Sequence, residues 1–362
     1  LDDQAPFNLF DLDREALLAL LAERGHRPFR ATQLMKWVYH RRVTDYAAMT
    51  DLSKPFRTWL EAHARFDLPT AVSDQKSRDG TRKWLFELVD GNCVETVYIP
   101  DGERGTLCIS SQVGCPIDCR FCATARQGFN RNLTTGEIVA QLWLARTALD
   151  AEGAGREVTN VVLMGMGEPL LNFQAVVHAT NLMKDDLAFG LSKRRVTLST
   201  SGIVPAMDRL AEVSDISLAV SIHAPNDALR SELVPINRKY PLREVVAAAK
   251  RYIGAERYRV VTFEYVLLAG VNDQPEHARE LARVLRGVPA KVNLIPYNPV
   301  EGIHYRRPDD HVVDAFRAVL QAHGLVTITR KTRGDDIDAA CGQLVGKVDS
   351  RRRRDRIAKG IE

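Results

Sequence analysis

Apolar positions change their period along this chain, and each change marks a different kind of element. Between residues 13 and 64 they fall three and four apart: Leu17, Leu18, Leu20 and Leu21, then Leu34, Met35, Val38 and Tyr39. That spacing lines one face of a helix and predicts a small helical segment. Between residues 70 and 100 the period shortens. "KWLFELVDGNCVETVYIPDG" holds strand-like runs broken at Asp90-Gly91-Asn92, which predicts hairpins. From residue 106 onward, apolar runs alternate with amphipathic helical stretches. The runs are "TLCISSQ", "NVVLMGMGEP", "RVTLSTSG", "SLAVSIHAP", "RVVTFEYVLLAG" and "KVNLIPYNP". The stretch after the first of them opens with Thr134 and Glu137 in capping-box spacing, where each side chain takes the other's unpaired backbone N–H.

Six β-α units in series predict a parallel sheet with outer helices. Six fall short of the eight of a closed barrel, so the expected fold is α/β, a partial (β/α)6 barrel. The expected organisation is an N-terminal accessory domain over 1–100, helices then β-hairpins, and the partial barrel over 101–345. A C-terminal extension follows: residues 326–362 carry one more apolar run, and 346–362 form a basic tail containing "SRRRRDR".

Composition narrows the class without naming an activity. The 362 residues are 45% hydrophobic and 27% charged, an ordinary globular balance. No apolar run reaches the roughly 18 residues of a membrane span, and "LDDQAPFNLF" lacks the pattern of a signal peptide. Leu1 in place of Met predicts numbering from inside a longer chain or after trimming. A net charge of +4 is too small to imply nucleic-acid binding from charge alone. Six cysteines in a chain of this length do not make a secreted disulfide scaffold, so a reducing cytoplasm is expected, with thiols used as ligands or in redox chemistry.

Three of those cysteines stand together. Cys115, Cys119 and Cys122 are spaced C-x3-C-x2-C in the loop after the first barrel strand, with Gly114 and Pro116 letting the backbone wrap tightly. Soft thiolates at this spacing suit three irons of a [4Fe–4S] cluster. The fourth iron is then open to chelate the amino and carboxylate groups of S-adenosylmethionine. Structural zinc is the alternative, but it asks for four closed ligands, and no histidine falls in or beside the loop, His178 lying well outside it.

That loop, followed by "MGMGEP" after the second barrel strand, resembles the radical S-adenosylmethionine superfamily. "VETVYIP", "STSG", "SIHAPND", "PYNP" and "DIDAACGQL" narrow the likeness to the RlmN family of RNA methyltransferases, over nearly the whole chain. The resemblance implies methylation of adenine carbon 2 in 23S rRNA and tRNA, two S-adenosylmethionine molecules per turnover and a methyl-cysteine intermediate. By the same likeness Cys341 carries the methyl group and Cys108 later closes a disulfide with it, while Glu95 takes the adenine proton. Read as a residue type, a glutamate in a hairpin strand is more often a solvated edge.

Gly167 and Glu168 follow a barrel strand at its ligand-bearing end, and the resemblance gives them to the cofactor's methionine amino group. Ser199, Ser221, Ile222, His223 and Asn298 fall at later strand ends and are implied cofactor contacts too. Cys93 has no role in the pattern and reads as a small buried hydrophobe.

Residues 24–42 carry arginines and lysines without an acid, interleaved with Phe29, Trp37 and Tyr39. Phosphate neutralisation with aromatic stacking would suit RNA, and a solvated face over a helical core is the other reading. Arg351 to Arg354 offer a second basic run. The expected partners are therefore 23S rRNA and tRNA, a flavodoxin-type electron donor and a thiol reductant. The enzyme is expected to be a monomer with no membrane association. A sister enzyme class that methylates adenine carbon 8 shares these motifs, and a non-catalytic iron–sulfur RNA-binding protein is a further alternative.

Overall fold

The computed structural model describes residues 6–153, 157–254 and 259–346. Each apolar run from residue 106 onward contributes a strand. Central ones such as Ser217–Ser221 and Val261–Leu267 are largely covered on both faces as parallel strands require, whereas the edge strand Val326–Thr329 leaves Val326 and Ile328 exposed. In chain order the main sheet holds β1 (Thr70–Lys76), β2 (Arg82–Glu87), β3 (Cys93–Asp101), β4 (Arg104–Cys108), β5 (Asn160–Leu163), β6 (Val196–Thr200), β7 (Ser217–Ser221), β8 (Val261–Leu267), β9 (Ala290–Pro296) and β10 (Val326–Thr329). Neighbours in the sheet are also neighbours in sequence. β4 to β10 run parallel, as an open barrel wall. β1 to β4 run antiparallel, so the hairpins continue the same sheet.

The N-terminal segment folds as α1 (Arg14–Glu23), α2 (Phe29–Met35) and α3 (Lys54–His63), and a short α4 (Ala123–Arg126) follows Cys122. Between the parallel strands come α5 (Thr135–Ala151), α6 (Phe173–Lys184), α7 (Val204–Val213), α8 (Asp227–Leu233) with α9 (Leu242–Ile253), α10 (Pro275–Val284) and α11 (Asp310–Ala322). The six expected β-α units are present, and the apolar run at 326–329 adds a seventh parallel strand at the edge. "TLCISSQ" forms β4 only as far as Cys108; Gln112–Gly114 instead pairs with Phe129–Asn132 around the cysteine loop.

Helix α5 begins at the expected capping box. Thr134 Oγ1 accepts the Glu137 N–H at 3.2 Å and Glu137 Oε2 accepts the Thr134 N–H at 2.9 Å. It is apolar on most of its circumference because it is covered twice. The sheet covers one side, and the N-terminal segment covers another through the Phe10–Trp143 edge contact and the bond from Trp143 Nε1 to the Val38 carbonyl at 2.8 Å. Among the described residues no helix is long and apolar enough to cross a membrane. The basic run at 351–354 lies outside the described residues.

Candidate active site

The parallel strands end on one rim, and the cysteine loop lies across it. Gly114 starts the loop at φ +74°, where an added Cβ would meet the Gly128 carbonyl at 1.8 Å, so only glycine fits. The loop is then closed by the bond from Cys115 N to that carbonyl at 3.0 Å. Cys115, Cys119 and Cys122 are free thiols on the wall of a cavity of about 170 Å³. Burial pushes all three thiols up, so they wait for a cation to ionise them. Among the described residues no three His, Cys, Asp or Glu side chains converge on one metal ion. A cube that takes one thiolate at each of three irons suits these sulfurs better.

The rest of that inner cavity is built from strand ends. Gly167 (φ +106°) passes so close to Gln112 that a Cβ would lie 2.6 Å from its side chain. Gln112 Oε1 in turn accepts the Glu168 N–H at 2.8 Å. Glu168 is buried; its Oε2 accepts from Ser201 N at 2.7 Å and Ser201 Oγ at 2.8 Å, and its Oε1 accepts from Leu170 N at 3.1 Å. Burial raises its carboxyl while these bonds pull it back. Ser199 and Ser221 face each other at 3.5 Å between their hydroxyl oxygens.

His223 Nδ1 accepts the Val266 N–H at 3.0 Å, so the ring proton sits on Nε2. Burial, helped by Arg230, drops its pKa to about 3 and keeps the ring neutral. Ile222 does not line the cavity: it is buried, and its carbonyl accepts Arg230 Nε at 3.1 Å.

A second, outer cavity of about 560 Å³ adjoins the first, and Met164, Ile295, Arg330 and Cys341 belong to both walls. Cys108, at the end of β4, lines the outer cavity only. Burial and the neighbouring Cys341 push the Cys108 thiol up to about 12, with Arg330 pulling the other way. Asn298 also lines the outer cavity rather than the inner one; its Nδ2 donates to the Cys341 carbonyl at 3.3 Å.

Arg330 escaped the sequence reading. Its Nη1 lies 3.4 Å from Cys341 Sγ and its Nη2 3.5 Å from Met164 Sδ. Glu264, also unforeseen, is buried on β8, 3.8 Å from the same guanidinium. Arg330 directly follows β10, the strand-end signal that did single out Ser199 and Ser221, whereas Glu264 lies in the middle of β8, level with Ser221 at the end of β7.

The relatives of this chain point to one family. Residues 7–66 match the family model described as a ribosomal RNA large subunit methyltransferase N-terminal domain, and residues 109–282 match the radical SAM superfamily. A dual-specificity RNA methyltransferase RlmN of Alkalilimnicola ehrlichii is 57% identical, with 96% of each chain covered. The RlmN of Marinobacter nauticus is 55% identical over 96% of this chain and 95% of its own. The chain belongs to the RlmN family. In the crystal structure of a radical SAM methyltransferase from Sphaerobacter thermophilus, 47% identical, the same fold recurs with a TM-score of 0.87 over 94% of this chain and 99% of that one.

Two further residue groups bear on an RlmN enzyme. Glu95 is not a solvated edge residue. Its side chain is buried between Lys83 and the C-terminal segment, with Nζ of Lys83 at 3.0 Å from Oε1 and the Val345 N–H at 2.8 Å from Oε2. It lines neither cavity, although it shares a face of β3 with Ile99, which lines the outer one. In the basic stretch, Trp37 and Tyr39 are core, 8% and 5% exposed, whereas Phe29 is 47% exposed. Cys93 is buried, as expected.

Proposed function

We propose that this RlmN-family enzyme methylates carbon 2 of an adenine in RNA and passes the methyl group through Cys341. The observation that carries the reading is the place of Cys341 in the wall between two cavities, beside Arg330 and across from Cys108. Adenine carbon 2 offers neither a nucleophilic lone pair nor an acidic proton, so polar methyl transfer to it is closed and cofactor chemistry is required. Cys115, Cys119 and Cys122 would hold a [4Fe–4S] cluster, and Gly167, Glu168, Ser199, Ser221 and His223 would surround S-adenosylmethionine. Together these groups supply a methyl group and a carbon-radical reaction.

The chain's own residues then divide the work. The Arg330 guanidinium donates to Cys341 Sγ at 3.4 Å and so orients the sulfur that accepts a methyl group. Asn298 fixes the Cys341 backbone through its carbonyl. Glu95 takes the proton from carbon 2 once Cys341 and the base are linked. Cys108 attacks the Cys341 sulfur, and the carbon–sulfur bond breaks with its electron pair passing to the methylene carbon. That carbon takes a proton to become the methyl group, and a Cys108–Cys341 disulfide is left for a thiol reductant.

The substrates this reading supports are 23S rRNA and tRNA, named from the family's dual specificity. It includes a flavodoxin-type electron donor, a monomeric enzyme and a cytoplasmic location, in keeping with a cysteine content too low for a secreted disulfide scaffold. The test uses reconstituted enzyme, labelled RNA and a denaturing gel. Cys108→Ala is expected to leave protein covalently attached to RNA through Cys341, and Cys341→Ala to form no adduct. Mapping the methyl group in wild-type product to carbon 8, or an adduct in Cys341→Ala, would overturn the reading.

A further inference from the structure

The hairpin strands bring a buried cation up behind Glu95. Lys83 on β2 stands opposite Val97 on β3, and Val97 stands opposite Cys108 on β4. Paired residues share a face, so Lys83, Val97 and Cys108 form one cross-strand row, with Glu95 two residues along β3 on the same side. The Lys83 and Glu95 side chains are only 11% and 7% exposed and lie 3.0 Å apart. Lys83 Nζ also donates to the Asp338 carbonyl at 3.3 Å, while Glu95 Oε2 holds the Val345 N–H at 2.8 Å. The ion pair therefore grips the C-terminal segment on both sides of Cys341.

Stability alone does not account for such a pair. Buried ion pairs are commonly replaced by apolar residues at no loss of stability, and lysine is rarely found in an interior. We propose that Lys83 is a positioning residue of methyl transfer, holding Glu95 as a carboxylate and tying the Cys341 segment to the strand that bears it. The inference rests on the reading of Glu95 as proton acceptor.

The electrostatics point the same way. Burial raises the Glu95 carboxyl, Lys83 is the main group opposing that rise, and Asp338 adds to it. No other charged group bears on Glu95 as strongly as Lys83. Without Lys83 the carboxyl titrates at higher pH, so a larger share of the enzyme carries it protonated. In the step concerned, the carbon 2–hydrogen bond breaks, its electron pair stays with the adenine ring, and the proton passes to a Glu95 oxygen. The unpaired electron left by radical addition leaves to a one-electron acceptor, a part that an iron–sulfur cluster held by Cys115, Cys119 and Cys122 would play. A protonated Glu95 cannot accept it, and the RNA stays linked to Cys341.

The experiment follows adduct and methylated product against pH in cluster-loaded, full-length enzyme, with Lys83→Met, Lys83→Gln, Lys83→Arg and Glu95→Gln. Iron content and 5′-deoxyadenosine release report that each variant is folded and loaded. For Lys83→Met and Lys83→Gln we expect adduct near neutral pH and an acid limb of product formation moved up by about one pH unit or more. Lys83→Arg is expected to restore the limb. Glu95→Gln should accumulate adduct at every pH. If Glu95→Gln accumulates adduct but Lys83→Gln keeps the wild-type limb, or loses rate equally at all pH, the role of Lys83 is overturned while that of Glu95 stands. If Glu95→Gln forms no adduct, the reading of Glu95 itself falls.

Discussion

At the residue scale, His223 shows what the rim demands of a side chain. It sits at φ +57°, a region non-glycine residues seldom enter, and it is buried with a pKa near 3. The strain persists because Nδ1 accepts the Val266 N–H and the ring packs edge-on against Phe121 at 4.9 Å between centroids. A histidine that folds neutral and unfolds with its ordinary value makes the unfolded chain bind more protons below about pH 6.5. Stability must then fall as pH drops from there toward the folded value of about 3. His223→Asn keeps an acceptor near the Nδ1 position and tolerates positive φ. It is expected to flatten the pH dependence of the melting temperature between about pH 6 and 4. An unchanged slope would mean that other groups carry the acid sensitivity.

His223 was legible in the sequence because its neighbours form a recognisable run at a strand end. Arg330 and Glu264 were not legible. Their importance comes from meeting each other and Cys341 in space, from three separate elements, and single-residue type gives no hint of that.

At the scale of elements, the period of apolar positions located every barrel strand, but it could not describe residues 334–346. That segment has no long regular element, and its course is set by bonds to residues far away in sequence. Ala123 N donates to the Gly342 carbonyl at 2.8 Å and Thr124 Oγ1 to the Leu344 carbonyl at 2.8 Å, and Gln127 reaches the Gly346 carbonyl. All three donors lie on or beside α4, immediately after the cysteine triplet. The element that follows Cys122 therefore also fixes the segment that carries Cys341.

Thr124→Val leaves the Leu344 carbonyl without this buried donor, a loss of about 1–3 kcal/mol for an unpaired group. The three cysteine thiols remain, so the cluster should still load, with iron content measured alongside because the Thr124 side chain also bonds to Cys122. Cys341 should sit less firmly at the cavity wall, and 5′-deoxyadenosine released per methyl group transferred should rise several-fold. If that ratio stays at the wild-type value, α4 does not govern the placing of Cys341.

At the scale of the whole molecule, the N-terminal segment and the barrel are joined by aromatic packing. Phe10 meets Trp143 of α5, and Tyr39 meets Phe189 with centroids 5.2 Å apart. Close approach also needs Gly136, since a Cβ there would lie 2.5 Å from the Asn8 side chain. Of the aromatics in residues 24–42, Tyr39 thus serves the interface and Trp37 the core, while Phe29 and the cations Arg27, Lys36 and Arg41 remain outside. Pattern reading could not separate these two jobs, because both put an aromatic beside an arginine.

The structure now tells the cations apart as probes. Arg42 pairs with Asp150 at the end of α5, so its reversal would disturb the interface as well as any RNA contact. Arg41 instead lies over the Trp37 ring, 3.9 Å from its centroid, with no ion pair to break among the described contacts. If this face meets RNA, Arg41→Glu should weaken binding and lower the slope of log affinity against log salt by about 1, one counterion fewer being released. The melting temperature should change little. Fluorescence anisotropy with tRNA at several salt concentrations would measure the slope, and a slope equal to that of the wild type would place Arg41 on a face that RNA does not touch.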